Sequence, residues 1–270
     1  MDTRTEAEQR QQIVEVGRLI HQKGMVAAGD GNLSVRLDRE RLLVTPSGLS
    51  KGFLEADQLI VVDLNGEKIS PSFGKWRDLK PSSEIRIHLE CYRQRADVHA
   101  VIHAHPPMTI ACTLAGVSLA KCTLPEVLYD LGTIPTAPYA TPASPEGPIA
   151  VRELVKKYDA IVLDRHGTVT VGATLWDAYM RLERVEHSAQ VTLAAQQALH
   201  GPVALLSVEA IEKIAAMRQT VFSQMGRDVC AECNACPVSE RHPSRQRGGA
   251  TPDLARLEAL IESEVRKAIR

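Results

Sequence analysis

The sequence predicts an α/β protein: a three-layer α/β/α sandwich around a central, mostly antiparallel sheet. Three observations carry this. Short β-type runs mix with amphipathic helical stretches along the chain to about residue 225. The front strands are separated by turn signals rather than by helices, so they read as a meander. No linker-like stretch interrupts the pattern before about residue 226, so residues 1–226 form one domain and 227–270 a tail.

The elements follow in order. Residues 6–28 read as a helix, with Ile13, Val16, Ile20 and Gly24 on one face. The break AAGDGN precedes three β-type runs, 33–37, 42–45 and 59–64, and Asn65-Gly66 after the third signals a hairpin. The serines of KPSSE sit where a helix N-cap belongs, ahead of EIRIHLECYRQR. A strand then carries 99-HAVIHAH-105 and is stopped by Pro106 and Pro107, with a helix over 108–115. Residues 124–148 hold six prolines and read as an irregular functional loop with one short strand. Beyond it come a helix over 146–158, strands over 160–164 and 168–171, and two long helices over 174–199 and 207–225. The segment DLARLEALIESEVRKAI forms a last amphipathic helix in the tail.

Composition narrows the function. The chain has 270 residues, 44% hydrophobic and 24% charged, and a formal net charge of -1. That length buries a core without staples. The charge balance gives no bulk case for a nucleic-acid or membrane partner. No apolar run reaches the roughly 18 residues of a membrane helix, and MDTRTEAEQRQQ lacks a signal-peptide core, so a cytoplasmic protein is expected. Cys91, Cys112 and Cys122 stand singly, as core thiols do.

The chemistry begins with His103 and His105. At i and i+2 on a strand they share one face, and they sit at the strand's end, where sites in α/β proteins tend to lie. Alone, the pair also suits a solvated strand end. His166, in the turn Asp164-Arg165-His166-Gly167, adds a third imidazole at a strand end. Three neutral imidazoles suit Zn²⁺, or Mn²⁺, Co²⁺ or Fe²⁺, with a position left open for substrate. Glu84, at the first turn of a helix, is either a charge favoured by the helix dipole or a general base beside the metal. Ser82 and Ser83 offer hydroxyls and backbone N–H groups at that helix start. The turns 29-GDGNLS-34 and 45-TPSG-48 expose further donors, so Gly31, Asn32, Ser47 and Gly48 join the candidates for a phosphate.

The ordered set GNLS, TPSG, PSSE, HAH and HG resembles the class II aldolase/adducin family over roughly residues 8–225, and most of all its fuculose-phosphate aldolase branch. The resemblance implies that His103, His105 and His166 bind zinc. It makes Glu84 the acid/base and gives the phosphate to Gly31, Asn32, Ser47, Gly48, Ser82 and Ser83. It implies a homotetramer with sites between subunits, and cleavage of a ketose 1-phosphate to dihydroxyacetone phosphate and an aldehyde. L-Fuculose 1-phosphate and a 5-deoxy- or 5-methylthio-pentulose 1-phosphate are the expected substrates. A tyrosine from a neighbouring subunit handles the second proton in the family; the matching loop is 124-LPEVLYDLGTIP-135, with Tyr129 as the candidate and Glu126 as the alternative. A methylthioribulose-1-phosphate dehydratase, a pentulose-5-phosphate 4-epimerase (which carries aspartate at the position of Glu84), a decarboxylase and an adducin-like binding module without metal stay open. Cys230, Cys233 and Cys236 depart from the family. Their C-x2-C-x2-C spacing suits zinc, with His242 as a fourth ligand, or an iron–sulfur cluster; a tail of reactive thiols is the plainer reading.

Overall fold

The computed structural model describes residues 4–71 and 73–222. The three cysteines of the tail, His242 and the expected terminal helix lie outside these residues. Helix α1 (Glu6–Gln22) opens on a capping box, in which Thr5 and Glu8 each satisfy the other's backbone N–H. It buries Ile13, Val16 and Ile20 as its spacing predicts. It stops at Gln22, short of the expected residue 28, because Gly24 turns left-handed at φ 68.

Eight strands follow: β1 (Asn32–Arg36), β2 (Arg41–Val44), β3 (Ile60–Asp63), β4 (Lys68–Ser70), β5 (Ala100–Ala104), β6 (Thr136–Ala137), β7 (Ala160–Leu163) and β8 (Gly167–Gly172). They form one sheet in the order β4-β3-β2-β1-β5-β8-β7-β6, antiparallel except for β6 beside β7. The first four strands are the expected meander, and Asn65-Gly66 lies in the β3–β4 hairpin. The strand that carries the histidines sits at the centre, between β1 and β8.

Helices cover both faces. On one, α2 (Ile85–Gln94) and α5 (Glu146–Val155) pack Ile87, Leu89, Ala150 and Val151 against Val101, Val169 and Val171. On the other, α1 and α6 (Leu175–Leu199) pack Ile13, Val16, Leu175, Ala178 and Leu182 against Ala100, Ile102 and Ala104. The alternation along β5 therefore sorts the side chains into two layers of core, which is the three-layer sandwich read from the sequence. Val98 precedes the strand and packs on the α2 face, not with Ala100 as strict alternation would have it.

Three further helices complete the described chain: α3 (Pro107–Leu114) packs on α6 and β8, and α4 (Pro125–Asp130) on α6 and α7 (Val208–Phe222). Helix α4 falls where an irregular loop was expected. Pro125 occupies its first turn, where a missing N–H costs nothing, so a proline that reads as a breaker here starts a helix. Across the sheet edge, Asp159 accepts from both Arg95 (2.5 Å) and Arg181 (3.1 Å), tying the end of α2 and the start of β7 to α6. Among the described residues no helix is long and apolar enough to cross a membrane.

Candidate metal centre

His103 lies on β5 opposite Asn32 of β1 and Val169 of β8. Directly opposed residues point to the same face, so the register alone puts Asn32 beside His103. His105 follows the end of β5, and its N–H donates to the Met25 carbonyl (2.8 Å). The tight turn from β7 to β8 carries His166, with Arg165 left-handed at φ 58. Gly167 must be glycine because a Cβ there would lie 2.2 Å from the Ala104 carbonyl oxygen. That close approach brings the turn against the end of β5.

The three imidazole rings stand 4.8, 4.8 and 4.9 Å apart, centre to centre. Glu84, the residue before α2, spends no side-chain hydrogen bond on capping its helix. Its carboxylate instead reaches His103 Nε2 at 2.8 Å and His166 Nε2 at 3.5 Å. The nearest ligand atoms of Glu84, His103, His105 and His166 all lie within 4.8 Å of one another.

The arrangement fits a cation. His103 is fully buried, and its Nδ1 lies 2.9 Å from the Thr168 carbonyl oxygen. A carbonyl only accepts, so Nδ1 carries the proton and the Nε2 lone pair of the neutral ring faces the cluster. His105 Nε2 stands 3.0 Å from that atom. His105 turns Nδ1 toward the Asp30 carboxylate at 3.4 Å, which favours the proton there and the lone pair inward. Lone pairs gathered at such distances repel unless a proton or a metal ion sits among them. Burial, reinforced by His103, pushes His166 down to about 4, and burial lowers His105, so both are neutral at pH 7 and able to ligate. Burial works to raise the Glu84 carboxyl; a proton on His103 and His166, or a cation in its place, outweighs it, with help from the Ala143 N–H, and holds it at about 2.

The three expected anion-binding turns converge beside this cluster. Asn32 Nδ2 donates to Ser82 Oγ (3.4 Å), and Ser47 N–H to the Lys80 carbonyl (2.8 Å). Pro46 and Pro81 form a β-bridge. Gly31 is left-handed (φ 71), and a Cβ would lie 2.9 Å from the His103 carbonyl oxygen, so glycine lets the first turn press against β5. Gly48 is also left-handed, at φ 75. Asn32 is buried, with Oδ1 unpartnered. Ser82 Oγ accepts from the Glu84 N–H (3.3 Å), and Ser83 is exposed at the mouth of a cavity shared with Glu84, Thr141 and His166.

Tyr129 and Glu126 are not among the groups that converge here. They lie on α4, which packs against α7 and α6. Sequence reasoning also missed supporting groups. The Thr168 carbonyl is a main-chain group with no letter of its own. Asp30 reads as a turn former in GDGN. Ala143, whose N–H donates to Glu84 Oε1 (3.2 Å), is a non-glycine residue at φ 60, which only the folded backbone reveals. His88 is one helical turn after Glu84 and fully buried, with Nδ1 2.6 Å from Ser34 Oγ. Its i+4 spacing from Glu84 was the available signal.

Comparison with known proteins agrees with this geometry. Residues 11–193 match the family model described as the Class II Aldolase and Adducin N-terminal domain. The 3-oxo-tetronate 4-phosphate decarboxylase of Haemophilus influenzae is 32% identical over 198 residues, 71% of this chain and 90% of that protein. The L-fuculose phosphate aldolase of Methanococcus maripaludis is 32% identical over 180 residues, 67% of this chain and 93% of that protein. Among solved structures, YgbL from Klebsiella pneumoniae, described as a putative aldolase/epimerase/decarboxylase, superposes with a TM-score of 0.69 at 29% identity. That match covers 78% of this chain and 99% of YgbL. Taken with a three-layer sandwich that gathers three histidines and a glutamate at its strand ends, these matches show that the chain belongs to the class II aldolase and adducin N-terminal domain family.

Proposed function

We propose that this protein is a divalent-metal-dependent aldolase that cleaves a ketose 1-phosphate to dihydroxyacetone phosphate and an aldehyde. The observation that carries the proposal is the placement of Glu84. Its carboxylate lies within 2.8 Å of His103 Nε2 and 3.5 Å of His166 Nε2, directly after the two serines. L-Fuculose 1-phosphate and 5-deoxy- or 5-methylthio-pentulose 1-phosphates are the proposed substrates. The enzyme is proposed to act in the cytoplasm as a homotetramer with sites between subunits.

His103, His105 and His166 would hold the metal, Zn²⁺ or another divalent first-row ion. When bound, it supplies Lewis-acid stabilisation of the negative charge that develops on the substrate oxygens. Gly31, Asn32, Ser47, Gly48, Ser82 and Ser83 hold the phosphate and so fix the sugar's carbonyl end against the histidines. Breaking C3–C4 leaves the electron pair on C3 as an enediolate. Glu84, a carboxylate at rest, must first take up a proton, which it then delivers to C3; in the condensation direction its carboxylate removes that proton. The proton on the C4 hydroxyl leaves to a second group. Tyr129, presented by α4 to a neighbouring subunit's site, is proposed for this, with Glu126 on the same helix as the alternative.

A second reading has a specific observation behind it, the 32% identity to a 3-oxo-tetronate 4-phosphate decarboxylase. That substrate carries the same phosphate, carbonyl and hydroxyl-bearing carbon, with a carboxylate where the ketose has C4. Loss of CO₂ leaves the same enediolate and gives the same dihydroxyacetone phosphate. The common product therefore does not separate the readings; the co-product does. The test offers metal-loaded protein a panel of ketose 1-phosphates and 3-oxo-tetronate 4-phosphate, and assays dihydroxyacetone phosphate, aldehyde and CO₂ together. Aldehyde in equal amount to dihydroxyacetone phosphate establishes the aldolase, and CO₂ the decarboxylase. Glu84→Gln is expected to lower turnover about 10²- to 10⁴-fold. If metal-loaded protein releases no dihydroxyacetone phosphate from any of them, the aldolase and decarboxylase readings both fail and the dehydratase or epimerase is tested next.

A further inference from the structure

Lys51 is the largest side chain shut away from solvent among the described residues, only 1% exposed. It lies in a short 3-10 turn, Lys51–Phe53, against α1, where a Cβ on Gly17 would come within 2.7 Å of its carbonyl oxygen. Its ammonium donates to two main-chain carbonyls, Gly29 at 2.8 Å and Leu49 at 2.6 Å. Gly29 opens the GDGN turn, and Leu49 follows the TPSG turn. The two turns touch here: Gly48 Cα lies 3.3 Å from where a Gly29 Cβ would be. One cation thus bridges two of the three turns that flank the histidines.

A buried charge costs free energy unless it is paired. Among the described residues no carboxylate lies within 4.0 Å of Lys51 Nζ. The neighbouring Asp30 acts on it only through space, and turns its own carboxylate to His105. A methionine would fill much the same volume without that cost. The charge is explained if the turns above it receive an anion.

We propose that Lys51 is a positioning residue for the substrate's phosphate: it fixes the GDGN and TPSG turns at one separation and lends them the positive charge that a dianion needs. This deepens the phosphate assignment made above and rests on it. Two of the three ammonium protons are spent on the carbonyls, so the effect on the anion passes through the turns and the field rather than through a contact.

The test uses the metal-loaded full chain and inorganic sulfate, which stays dianionic across the pH range, titrated calorimetrically into the wild type, Lys51→Met and Lys51→Arg. Burial lowers the Lys51 ammonium to about 8, against a smaller upward pull from Asp30, so its charge disappears as pH rises beyond that. The other titratable groups facing this segment, Asp30 of the first turn and His21 of α1 beside Gly52, are the same in all three proteins. Wild-type affinity is expected to fall about 10-fold between about pH 7 and about pH 10. Lys51→Met is expected to bind about 10-fold more weakly at the lower pH, with no trend above it and an unchanged metal content. Lys51→Arg keeps its charge throughout, so its affinity does not fall. Equal affinities and parallel profiles in wild type and Lys51→Met overturn the role of Lys51 and leave the lyase reading standing. If the methionine variant does not fold, a flat wild-type profile overturns it equally. A wild type that binds neither sulfate nor phosphate overturns the phosphate assignment itself.

Discussion

The floor and the roof of the site are built in different ways. The floor is strand-borne: His103 sits near the end of β5 with β1 and β8 on either side, and His166 in a hairpin turn two residues ahead of Thr168. The roof is loop-borne: residues 138–145 reach Glu84 through one backbone N–H, that of Ala143. His103 is paired on both sides by neighbouring strands, and the His166 N–H donates to the Leu163 carbonyl; these bonds form whatever the side chain is. The roof contact depends on a single alanine in a conformation that alanine disfavours. The histidines are set on or beside the ladder, and the contact to Glu84 from above is set on a loop.

The strongest way to break this comparison is at the floor. His103→Ala is expected to lose stoichiometric metal, with a loss of affinity beyond the roughly 10- to 100-fold typical of outer-shell partners, and turnover with it. Metal analysis after dialysis checks this; full metal retention would mean that the strand-borne cluster is not the ligand set. Asp30→Asn tests the next layer. The amide orients His105 Nδ1 less firmly, so metal affinity should fall about 10- to 100-fold with the fold intact, read from a competitive chelator titration.

His88, buried against Ser34 one helical turn after Glu84, probes the layer between α2 and β1 through pH. Burial pushes its folded value down to about 3, well below the roughly 6.5 of an unfolded chain. The unfolded state therefore takes up the proton first. Stability from the neutral ring is complete above about pH 6.5 and is lost as pH falls from there toward about 3, at about 1.4 kcal/mol per unit. His88→Gln should start less stable at neutral pH and lose less on acidification. Urea unfolding at about pH 7 and about pH 5 measures both, and parallel losses in the two proteins would remove His88 from the account.

The smallest effect belongs to the roof. Ala143→Gly relieves a left-handed alanine and should stabilise by up to about 1 kcal/mol, keeping the N–H to Glu84. A thermal scan together with the product ratio across substrates is the check. A loss of activity as large as that of His103→Ala would erase the distinction between floor and roof.

The same distinction explains what the sequence disclosed. A period of two, two prolines and a glycine after a turn make the histidine floor legible, because side-chain alternation is a direct product of strand geometry. The first of the turns beside the histidines was legible as a turn through Gly31 and Asn32 for a similar reason: a left-handed turn needs particular residues. Residues 124–148 were not legible, since six prolines read alike whether they break a helix or begin one, as Pro125 does. Lys51 was hidden for the opposite reason. A lysine next to a turn reads as a solvated charge, and only the packing of α1 over it shows otherwise.

The bond between His103 Nδ1 and the Thr168 carbonyl has a consequence for how this site can change over generations. The group that sets the ring's orientation belongs to the polypeptide chain and not to any codon. No point mutation at position 168, short of one that unmakes the strand, can delete it. Side chains along β8 can thus change while the acceptor stays. The donor atom of His103 keeps its aim, so the neighbouring sequence can diverge among descendants while the geometry of the cluster is inherited intact.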